Sequence, residues 1–303
     1  GTGDWSSDVC SSDLSLWVAK TGMEAQDFRV QTIANNMANA ASSGFKKDIA
    51  HFKSLGYNTV QGRTSMNEGG DYDIGTIKVG RGVAISDTST DFTQGSLTIT
   101  NSDTDVAISG KGFFVIEGDT ASAKPEEQRF FSRNGHFELR HTGTDKTYNL
   151  VHTASQKKLM GLATQPTAST TTPPPSALEF TLSNDGNKLI IGSNGEIMEE
   201  ANGAVVSLAS PRWISIATFG ANSGIQKNSF NLYTDNPAST GGARYAIPLV
   251  ENLGSLTHKS LEASNVTTID EMVNMIEAQR GYEMGAKVME KADEMMSTLI
   301  QRT

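Results

Sequence analysis

Five histidines are the residues of this sequence best suited to hold a metal ion. No two of them have the HExxH or His-x-His spacing that brings two imidazole rings onto one face of a helix or strand. Cys10 is the single cysteine, so the sequence offers neither an internal disulfide nor a cysteine cluster for zinc. We predict no metal site and expect these histidines on the surface or in strands: His51, His136, His141, His152 and His258.

Adjacent carboxylates and glycine-rich turns are the other groups that could do chemistry. The glutamate pairs at 126–127 and 199–200 could flank a glycosidic bond, but neighbouring residues of a strand point to opposite faces. The Gly-x-Gly turns at 80–82 and 110–112 lack the third glycine of a dinucleotide fingerprint. The sequence also lacks a Walker lysine and a Gly-x-Ser-x-Gly elbow. It therefore predicts no catalytic residue, no cofactor and no enzymatic activity.

The composition argues against two kinds of partner. The 34 acidic and 25 basic residues give a net charge of −9 without long blocks, so no basic stripe is available for nucleic acid. No apolar run approaches the roughly 20 residues that a membrane-spanning helix needs. The 29 glycines indicate frequent turns between strands. We expect an α+β protein that does not span a membrane and has a β-rich middle domain.

The first 14 residues, GTGDWSSDVCSSDL, differ in composition from the rest of the chain. They have neither the basic nor the apolar region of a secretory signal, and their Ser/Asp pattern stops at Ser15. The stretch resembles a translated sequencing-adapter scar. We expect residues 1–14, including Cys10, to be a non-native or disordered tail.

A first long helix is predicted from residue 15, within an N-terminal segment 15–55. Its apolar positions alternate in steps of three and four, as in a heptad seam, with Gln26 as the polar exception. The helix is expected to end where Gly44 takes the left-handed cap conformation. The seam residues that we expect to serve in assembly are Leu16, Met23, Val30, Ile33 and Met37.

A second long helix is predicted in the C-terminal segment 256–303. Thr268 and Glu271 have the spacing of a capping box and mark its start. Gly281 and Gly285 in its interior are either tolerated defects or places of close backbone approach. The apolar residues recur at threes and fours if a glutamine is counted among them. The predicted seam residues are Met272, Ile276, Gln279, Tyr282, Met289, Met296 and Leu299.

The two helices have two possible roles. Apolar stripes most often cap a globular core, which is the simpler interpretation. These seams are thin and rich in Met and Ala, so a coiled-coil pair of the two helices would leave faces uncovered. We predict that other copies of the chain cover them. Asn35, Asn36 and Asn39 then suit a face against neighbouring chains, where amides both donate and accept, with a local cap as the alternative, above all for Asn39.

The middle of the chain is predicted to be one β-rich domain over 83–255. An extended excursion over 56–82 precedes it, with abundant Gly, Asn and Asp and little periodicity. Asn-Gly pairs at 134–135 and 194–195 predict hairpin turns. A Pro/Thr-rich insertion near 164–177 divides the domain and favours extended geometry.

Five stretches of the chain carry a family resemblance. They are SLWVAKTGMEAQDFRVQTIANNMANAASSGFKK, DVAISGKGFFVI, FSRNGHFEL, LEASNV and EMVNMIEAQRGYE. In type and order they resemble the bacterial flagellar basal-body rod and hook family, over nearly the whole chain after Leu14. Within that family, SLWVAKTG and the long segment 56–80 resemble the distal end of the rod most, with the proximal rod and the hook as alternatives.

This resemblance implies an axial structural protein. Subunits of this kind are exported through the flagellum's own secretion apparatus without a cleaved signal peptide, and they polymerise into a tubular helical shaft that passes motor torque to the hook. The resemblance implies partners in further copies of the chain, other rod and hook proteins, the surrounding ring proteins and the export apparatus. The expected location is the periplasmic rod of the flagellar basal body.

Two functions of other classes compete with this interpretation. A secreted β-rich enzyme or adhesin that acts on cell-wall glycan would need a catalytic pair, which the sequence does not offer. A monomeric sugar-binding module with helical ends would not assemble. The central prediction is therefore that the two terminal helices are completed by neighbouring copies of the chain.

Overall fold

The structure is a computed structural model that describes residues 5–66, 72–118, 129–142, 146–163, 175–183, 188–201, 203–221, 224–250 and 253–301. The chain is an α+β protein, as predicted. Its helices are α1 (Trp5–Ala38), α2 (Pro237–Thr240) and α3 (Thr268–Gln301), with a 3-10 turn at Ser229–Asn231. Its strands are β1 (Asp48–Ser54), β2 (Tyr57–Met66), β3 (Tyr72–Gly80), β4 (Val83–Thr90), β5 (Leu97–Ile99), β6 (Val106–Ser109), β7 (Phe113–Glu117), β8 (Arg129–Ser132), β9 (Phe137–His141), β10 (Thr147–His152), β11 (Met160–Leu162), β12 (Ser176–Ala177), β13 (Glu179–Thr181), β14 (Lys188–Ile191), β15 (Ile197–Ala201), β16 (Ala204–Ser207), β17 (Trp213–Ile214), β18 (Ile216–Thr218), β19 (Ile225–Lys227), β20 (Leu232–Asp235), β21 (Arg244–Ala246), β22 (Ser255–His258) and β23 (Ser260–Glu262).

These elements form two compact units. The helix–ribbon unit contains α1, α3 and strands β1 to β4, and the β unit contains residues 39–47 and the elements from β5 to β23. Strand β4, inside the predicted β domain 83–255, belongs to the helix–ribbon unit because it pairs with β1. Strand β23, inside the predicted helical segment 256–303, belongs to the β unit because it pairs with β5. Strand pairing, which a sequence pattern does not show, moves both boundaries.

Strands β1 to β4 form a long antiparallel ribbon. β1 pairs with β4 and β2 with β3, and the Leu55 N–H donates to the Gly82 carbonyl at 2.9 Å between the two ladders. The predicted excursion 56–82 therefore consists of paired strands on either side of residues 67–71, which lie outside the described residues. These strands escaped prediction because the segment is rich in Gly, Asn and Asp and shows little periodicity.

Helix α1 begins and ends earlier than predicted. It begins at Trp5, so the backbone of residues 5–14 is helical rather than disordered. Ser and Asp are tolerated in the first turns of a helix, where an acidic side chain offsets the helix dipole. The helix ends at Ala38, and Gly44 has the predicted left-handed φ of +68° inside the β unit instead. A Cβ at Gly44 would lie 2.5 Å from the Asn134 nitrogen, so this glycine serves close approach.

The β unit is built on a six-stranded sheet with the order β19-β20-β8-β7-β18-β21. Its inner strand β7 is buried on both faces, since Phe114 lies in the main apolar cluster and Phe113 in a second, aromatic cluster. Both faces of such a strand are apolar, which explains the continuous apolar run GFFVI. The smaller sheets are β13-β10-β9, β12-β11-β17, β14-β15-β16, β22-β6 and β23-β5.

The two Asn-Gly pairs behave differently. Asn194-Gly195 lies in the hairpin between β14 and β15, as predicted. Asn134-Gly135 lies between β8 and β9, which belong to different sheets, so the hairpin predicted there is wrong. Gly135 is required because a Cβ would lie 1.6 Å from the Val106 carbonyl oxygen. Most of the predicted Pro/Thr-rich insertion, residues 164–174, lies outside the described residues.

Candidate functional site

Helices α1 and α3 pack against each other in antiparallel directions. Arg29 of α1 lies 3.7 Å from Glu277 of α3, and further along the pair Met23 lies against Gly285. Residue numbers fall along one helix as they rise along the other, so the helices run in opposite directions. The buried and half-buried residues of α3 include Glu271, Met275, Ala278, Gly281, Gly285, Met289, Ala292 and Met296, which we call the inner face.

The two glycines of the inner face mark close approach between the helices. A Cβ at Gly285 would lie 2.7 Å from the Cγ of Met23, and a Cβ at Gly281 would lie 3.1 Å from the Cδ of Gln26. Glycine is unfavourable in a helix interior by about 1 kcal/mol relative to alanine. At positions 281 and 285 the missing Cβ leaves room for the side chains of Gln26 and Met23 of α1. The structure thus favours close approach over a tolerated defect.

The predicted seam of α3 agrees with the inner face only in the second half of the helix. Met289 and Met296 are half-buried there. Other described seam residues, Met272, Ile276, Gln279 and Tyr282, are exposed, and the side chain of Leu299 lies outside the described residues. The register was missed because contact positions 281 and 285 carry glycine, which a count of apolar residues does not include.

Helix α1 has contacts on two sides. Ile33 is buried, whereas the other predicted seam residues of α1 are half-buried: Leu16, Met23, Val30 and Met37. On the side of the ribbon, the Thr21 hydroxyl accepts from the Val83 N–H at 3.4 Å. A single seam could not predict this arrangement, because α1 packs on both the ribbon and α3.

The three asparagines of α1 and its exit have different surroundings. The Asn36 side chain is 2% exposed, its amide nitrogen donates to the Asp48 carbonyl at 2.9 Å, and its amide oxygen accepts from the Asp48 N–H at 2.9 Å. This amide pins β1 to α1 and is therefore not available to a neighbouring chain. The Asn39 carbonyl accepts from the Ser42 N–H at 3.0 Å, which is the local turn left open by the sequence. Asn35 is exposed.

An exposed apolar stripe runs along the part of α3 that is turned away from the inner face. Ile276 lies about 160° around the helix from buried Ala278, at about 100° per residue, and further along the stripe continues on the flank of α3. We call it the outer stripe. Each of its members is at least half exposed: Ile269, Met272, Val273, Ile276, Met284, Val288 and Met295. Large apolar patches on a protein surface mark interaction sites.

A second site lies inside the β unit, where Lys46, Arg133 and Glu262 form a buried ion cluster. The side chains of Lys46 and Glu262 are fully buried, and Lys46 Nζ lies 2.5 Å from Glu262 Oε1. The other carboxylate oxygen of Glu262 lies 3.4 Å from Arg133 Nη1. Lys46 Nζ also donates to the Thr93 carbonyl at 2.7 Å, and the Gly95 N–H donates to Glu262 Oε1 at 3.0 Å. We call these five residues the junction cluster.

The charges of the junction cluster are unequal, with two cations and one carboxylate. Burial lowers the pKa of Lys46 below its ordinary value even though Glu262 favours the charged form. Burial likewise lowers the pKa of Arg133, whose guanidinium also lies 5.2 Å from the centre of the Phe113 ring. Removing one partner from a buried pair costs about 3–5 kcal/mol, because the other charge remains buried. Glu262 therefore holds the cluster together.

Asn265 adds a second set of bonds beside the junction cluster. Its amide oxygen accepts from the Lys47 N–H at 2.9 Å, and its amide nitrogen donates to the Asp91 carbonyl at 2.8 Å. The Asp91 N–H donates to the Lys47 carbonyl at 2.9 Å. Sequence reasoning did not find this site, since Lys46 and Glu262 are 216 positions apart. From the sequence, the GFKK and LEASNV stretches could be recognised one by one, but their contact with each other could not.

Similarity to known proteins covers both sites. A family model described as the flagellar basal body rod FlgEFG protein C-terminal matches residues 258–302. The flagellar basal-body rod protein FlgG of Buchnera aphidicola subsp. Baizongia pistaciae is 33% identical over 94% of this chain and 98% of its own length. FlgG of Borreliella burgdorferi is 32% identical over 93% of this chain and 96% of its own length. The chain belongs to the flagellar basal-body rod protein family.

Similarity to the hook is more limited than similarity to the rod. The flagellar hook protein FlgE of Treponema pallidum is 35% identical over 157 residues, which are 51% of this chain and 30% of the hook protein. The rod protein relatives match almost from end to end, so the rod is favoured over the hook. Their names describe rod proteins rather than enzymes, in agreement with the prediction of no enzymatic activity.

Two further properties of this rod protein concern the described residues alone. Within them, no group of three or more His, Cys, Asp or Glu side chains is placed to hold a metal ion. None of the helices in the described part of the chain is long and apolar enough to cross a membrane. The outer stripe and the junction cluster are thus the sites from which a function can be argued.

Proposed function

We propose that this chain polymerises through its terminal helices into the tubular rod of the flagellar basal body and transmits motor torque along it to the hook. The rod names of the relatives support the structural role. The observation that carries the proposal is the outer stripe of α3. The inner face is occupied by α1, while the stripe presents seven apolar side chains that are each at least half exposed.

The stripe is suited to contact with another copy of the chain. Apolar residues that recur every three or four positions on a helix pack into the side chains of a facing helix, as in a coiled coil. We infer that α1 and α3 form a coiled-coil pair inside each subunit and that the outer stripe extends the packing to neighbours. A head-to-tail contact of this kind, if it does not close into a ring, generates an open helical polymer.

The same proposal assigns the partners and the location. Neighbouring copies, other rod and hook proteins, the surrounding ring proteins and the export apparatus are the expected partners, and export without a cleaved signal peptide is the expected route. The basal-body location follows the family, and the periplasmic part of the rod is the finer proposal. These assignments are supported by the relatives' names and by the resemblance of the helical ends.

A substitution in the outer stripe tests the proposal. Ile276→Glu places a charge in the middle of the stripe and leaves the inner face unchanged, whereas Ser297→Glu adds the same charge at an exposed position outside the stripe. We expect wild type and S297E to form tubes at high concentration in negative-stain microscopy, and I276E to remain monomeric with unchanged helix content by circular dichroism. Tubes of I276E equal in number and length to wild type would overturn the proposal.

The ribbon is proposed to stiffen the polymer. An isolated two-stranded hairpin is at best marginally stable in water, so β2 and β3 would gain from a neighbouring subunit. Tyr57 and Gly80 are paired residues, so deleting 58–79 and joining these two through an Asn-Gly turn keeps β1 and β4 in register. We expect shorter or more flexible polymers from this variant. Unchanged bending of the tubes in micrographs would count against this role of the ribbon.

A further inference from the structure

The chain passes between the two units at four places, and three of them lie within a few residues of the junction cluster or of Asn265. The passages follow Ala38, Lys47, Thr90 and Val266. Two of them flank residues 39–47, which contain Lys46, and a third leads into residues 91–95. The fourth lies directly after the connector that contains Glu262 and Asn265. Three segments, 44–47, 91–95 and 262–265, thus lie next to the passages after Lys47, Thr90 and Val266, while residues 39–43 separate the passage after Ala38 from segment 44–47.

Hydrogen bonds and an ion pair join these three segments to one another. Glu262 accepts from Lys46 with its side chain and from the Gly44 N–H with its backbone carbonyl, at 2.7 Å for the latter. The same carboxylate accepts from the Gly95 N–H. Asn265 repeats the pattern, since it bonds both Lys47 and the Asp91 carbonyl. Glu262 and Asn265 of the third segment therefore each bond both of the other two segments.

We propose that the junction cluster, together with Asn265, is a clasp that releases these three segments only together. If segment 44–47 moved away alone, Glu262 would lose one of its two cations and Asn265 would lose its backbone donor. If segment 262–265 moved away, both Lys46 and Arg133 would remain buried without a carboxylate. A buried charge without a partner is strongly unfavourable, so partial release is suppressed and complete release is cooperative.

The clasp has a consequence for a rod subunit, and this consequence rests on the proposed function. Load that arrives along either long helix reaches the β unit through the passages, because the chain has no other covalent route. A clasp that bonds the three segments to one another keeps such a load from detaching one segment at a time. The clasp itself is a property of the monomer, so its test does not require polymerisation.

Hydrogen exchange of the full-length monomer measures the clasp directly. Glu262→Gln removes the carboxylate charge with little change of shape, and Glu277→Gln makes the same change in the exposed pair with Arg29. In E262Q we expect amide exchange to rise on the order of 100-fold in all three segments, because opening now costs far less. In E277Q we expect no change in these segments. Faster exchange in only one of the three segments of E262Q would overturn the clasp.

A second variant distinguishes the clasp from a simple loss of stability. Lys46→Met leaves Glu262 with Arg133 and the Gly95 N–H, so we expect a rise in exchange of no more than about 10-fold. The double variant K46M/E262Q should exchange more slowly than E262Q, since one of the two unpaired cations is gone. If E262Q did not fold but the double variant K46M/E262Q did, this result would support the same coupling between Lys46 and Glu262. Effects of the two substitutions that simply multiply would contradict it.

The proposed function is tested by other measurements than the clasp. Loss of tubes in I276E with normal exchange in the three segments would separate polymerisation from the clasp. Altered exchange in E262Q without any effect on tube stiffness would retain the clasp and remove its role in load transfer. Bending of E262Q tubes in micrographs, compared with tubes of E277Q, is the measurement for that role.

Discussion

The helix–ribbon unit and the β unit of this rod protein bury very different side chains. Among the described residues, the buried apolar side chains of the helix–ribbon unit are Ala19, Ala25, Ile33, Ala278 and Ala292. Those of the β unit are large, and Phe114, Phe137 and Leu150 are completely buried in its main cluster. Apolar burial contributes about 25 cal/mol for each Å² removed from water, so the β unit has much more of this stabilisation.

This difference in buried apolar side chains indicates where each unit obtains its stability. Helices in proteins are stabilised mostly by the packing of an apolar face rather than by intrinsic propensity. The inner face of α3 supplies mainly Gly, Ala and half-buried Met, while larger apolar residues lie in the exposed outer stripe. We conclude that the β unit has a core of its own, whereas the larger apolar residues of α3 stay exposed, as the proposed assembly through the outer stripe requires.

The largest expected effect comes from large-to-small substitutions in the two units. Phe137→Ala should destabilise the β unit by about 3–5 kcal/mol, because the emptied volume is surrounded by a packed core. Ile33→Ala should cost about 2 kcal/mol or less in the helix–ribbon unit, since the other buried apolar side chains described in this unit are alanines. Hydrogen exchange of the amides of β7 and of α1 measures the two losses separately. Equal losses of stability at the two sites would contradict the proposed difference between the two units.

A pH effect is expected in the β unit from one buried histidine. His152 is completely buried, and burial, with a smaller contribution from nearby His136, lowers its pKa from 6.5 to about 4. The folded protein keeps this imidazole neutral, while the unfolded chain takes up a proton as the pH falls below about 6.5. Stability is therefore lost as the pH falls from 6.5 to 4, by about 3 kcal/mol in total at about 1.4 kcal/mol per pKa unit.

The pH effect is measured by urea unfolding at several pH values with two matched variants. His152→Asn should remove this pH-dependent part, since asparagine does not titrate. His51→Asn changes an exposed histidine of the ribbon and should retain the pH dependence of wild type. An H152N protein that loses as much stability as wild type between pH 6.5 and 4 would show that another group is responsible.

The fold class and the long helices were predictable because they depend on local patterns. The start of α3 at Thr268 followed from its spacing to Glu271, and the hairpin at Asn194-Gly195 followed from its turn residues. The identical pair Asn134-Gly135 gave a wrong hairpin, because its glycine is needed for the approach of Val106 from another strand. A local rule fails where a distant segment decides which residue fits.

The functional surfaces were predictable only in part, for the same reason. Met272 and Ile276 were predicted as assembly residues in the seam of α3, and the structure places them in the exposed outer stripe rather than on the inner face. The register is fixed by Gly281 and Gly285, which carry no apolar signal. The junction cluster needs Lys46 and Glu262 together, and no pattern within a short window connects them.

A moderate effect is expected from the asparagine that pins the ribbon to α1. Asn36→Ala removes both hydrogen bonds between this amide and the Asp48 backbone, at a cost of about 2 kcal/mol to the helix–ribbon unit. Asn35→Ala, one position away and exposed, should change stability by no more than about 0.5 kcal/mol. Thermal unfolding at 222 nm and exchange of the Asp48 amide measure both. Similar midpoints for N36A and N35A would show that the amide pair contributes little.

The smallest expected effect is a difference in stability between alanine substitutions at the two glycines of the inner face. Alanine is favoured over glycine in a helix interior by about 1 kcal/mol, so each substitution begins with a gain. At Gly281 the new Cβ meets Gln26 at 3.1 Å near the end of a long side chain, which can move, so Gly281→Ala should keep most of the gain. At Gly285 the Cβ meets the Cγ of Met23 at 2.7 Å, so Gly285→Ala should lose it.

Thermal unfolding of the helix signal at 222 nm compares the two glycine variants. We expect the midpoint of G281A to lie above that of G285A, by an amount equivalent to about 1 kcal/mol. The double variant G285A/M23A removes the side chain that is in the way, so it should recover part of the loss if contact with Met23 is the cause. If G285A alone stabilised the helices as much as G281A, the helix pair would not be closely packed at this point. The inner face would then resemble the outer stripe in needing a neighbour for its burial, and the contrast between the two faces of α3 would disappear.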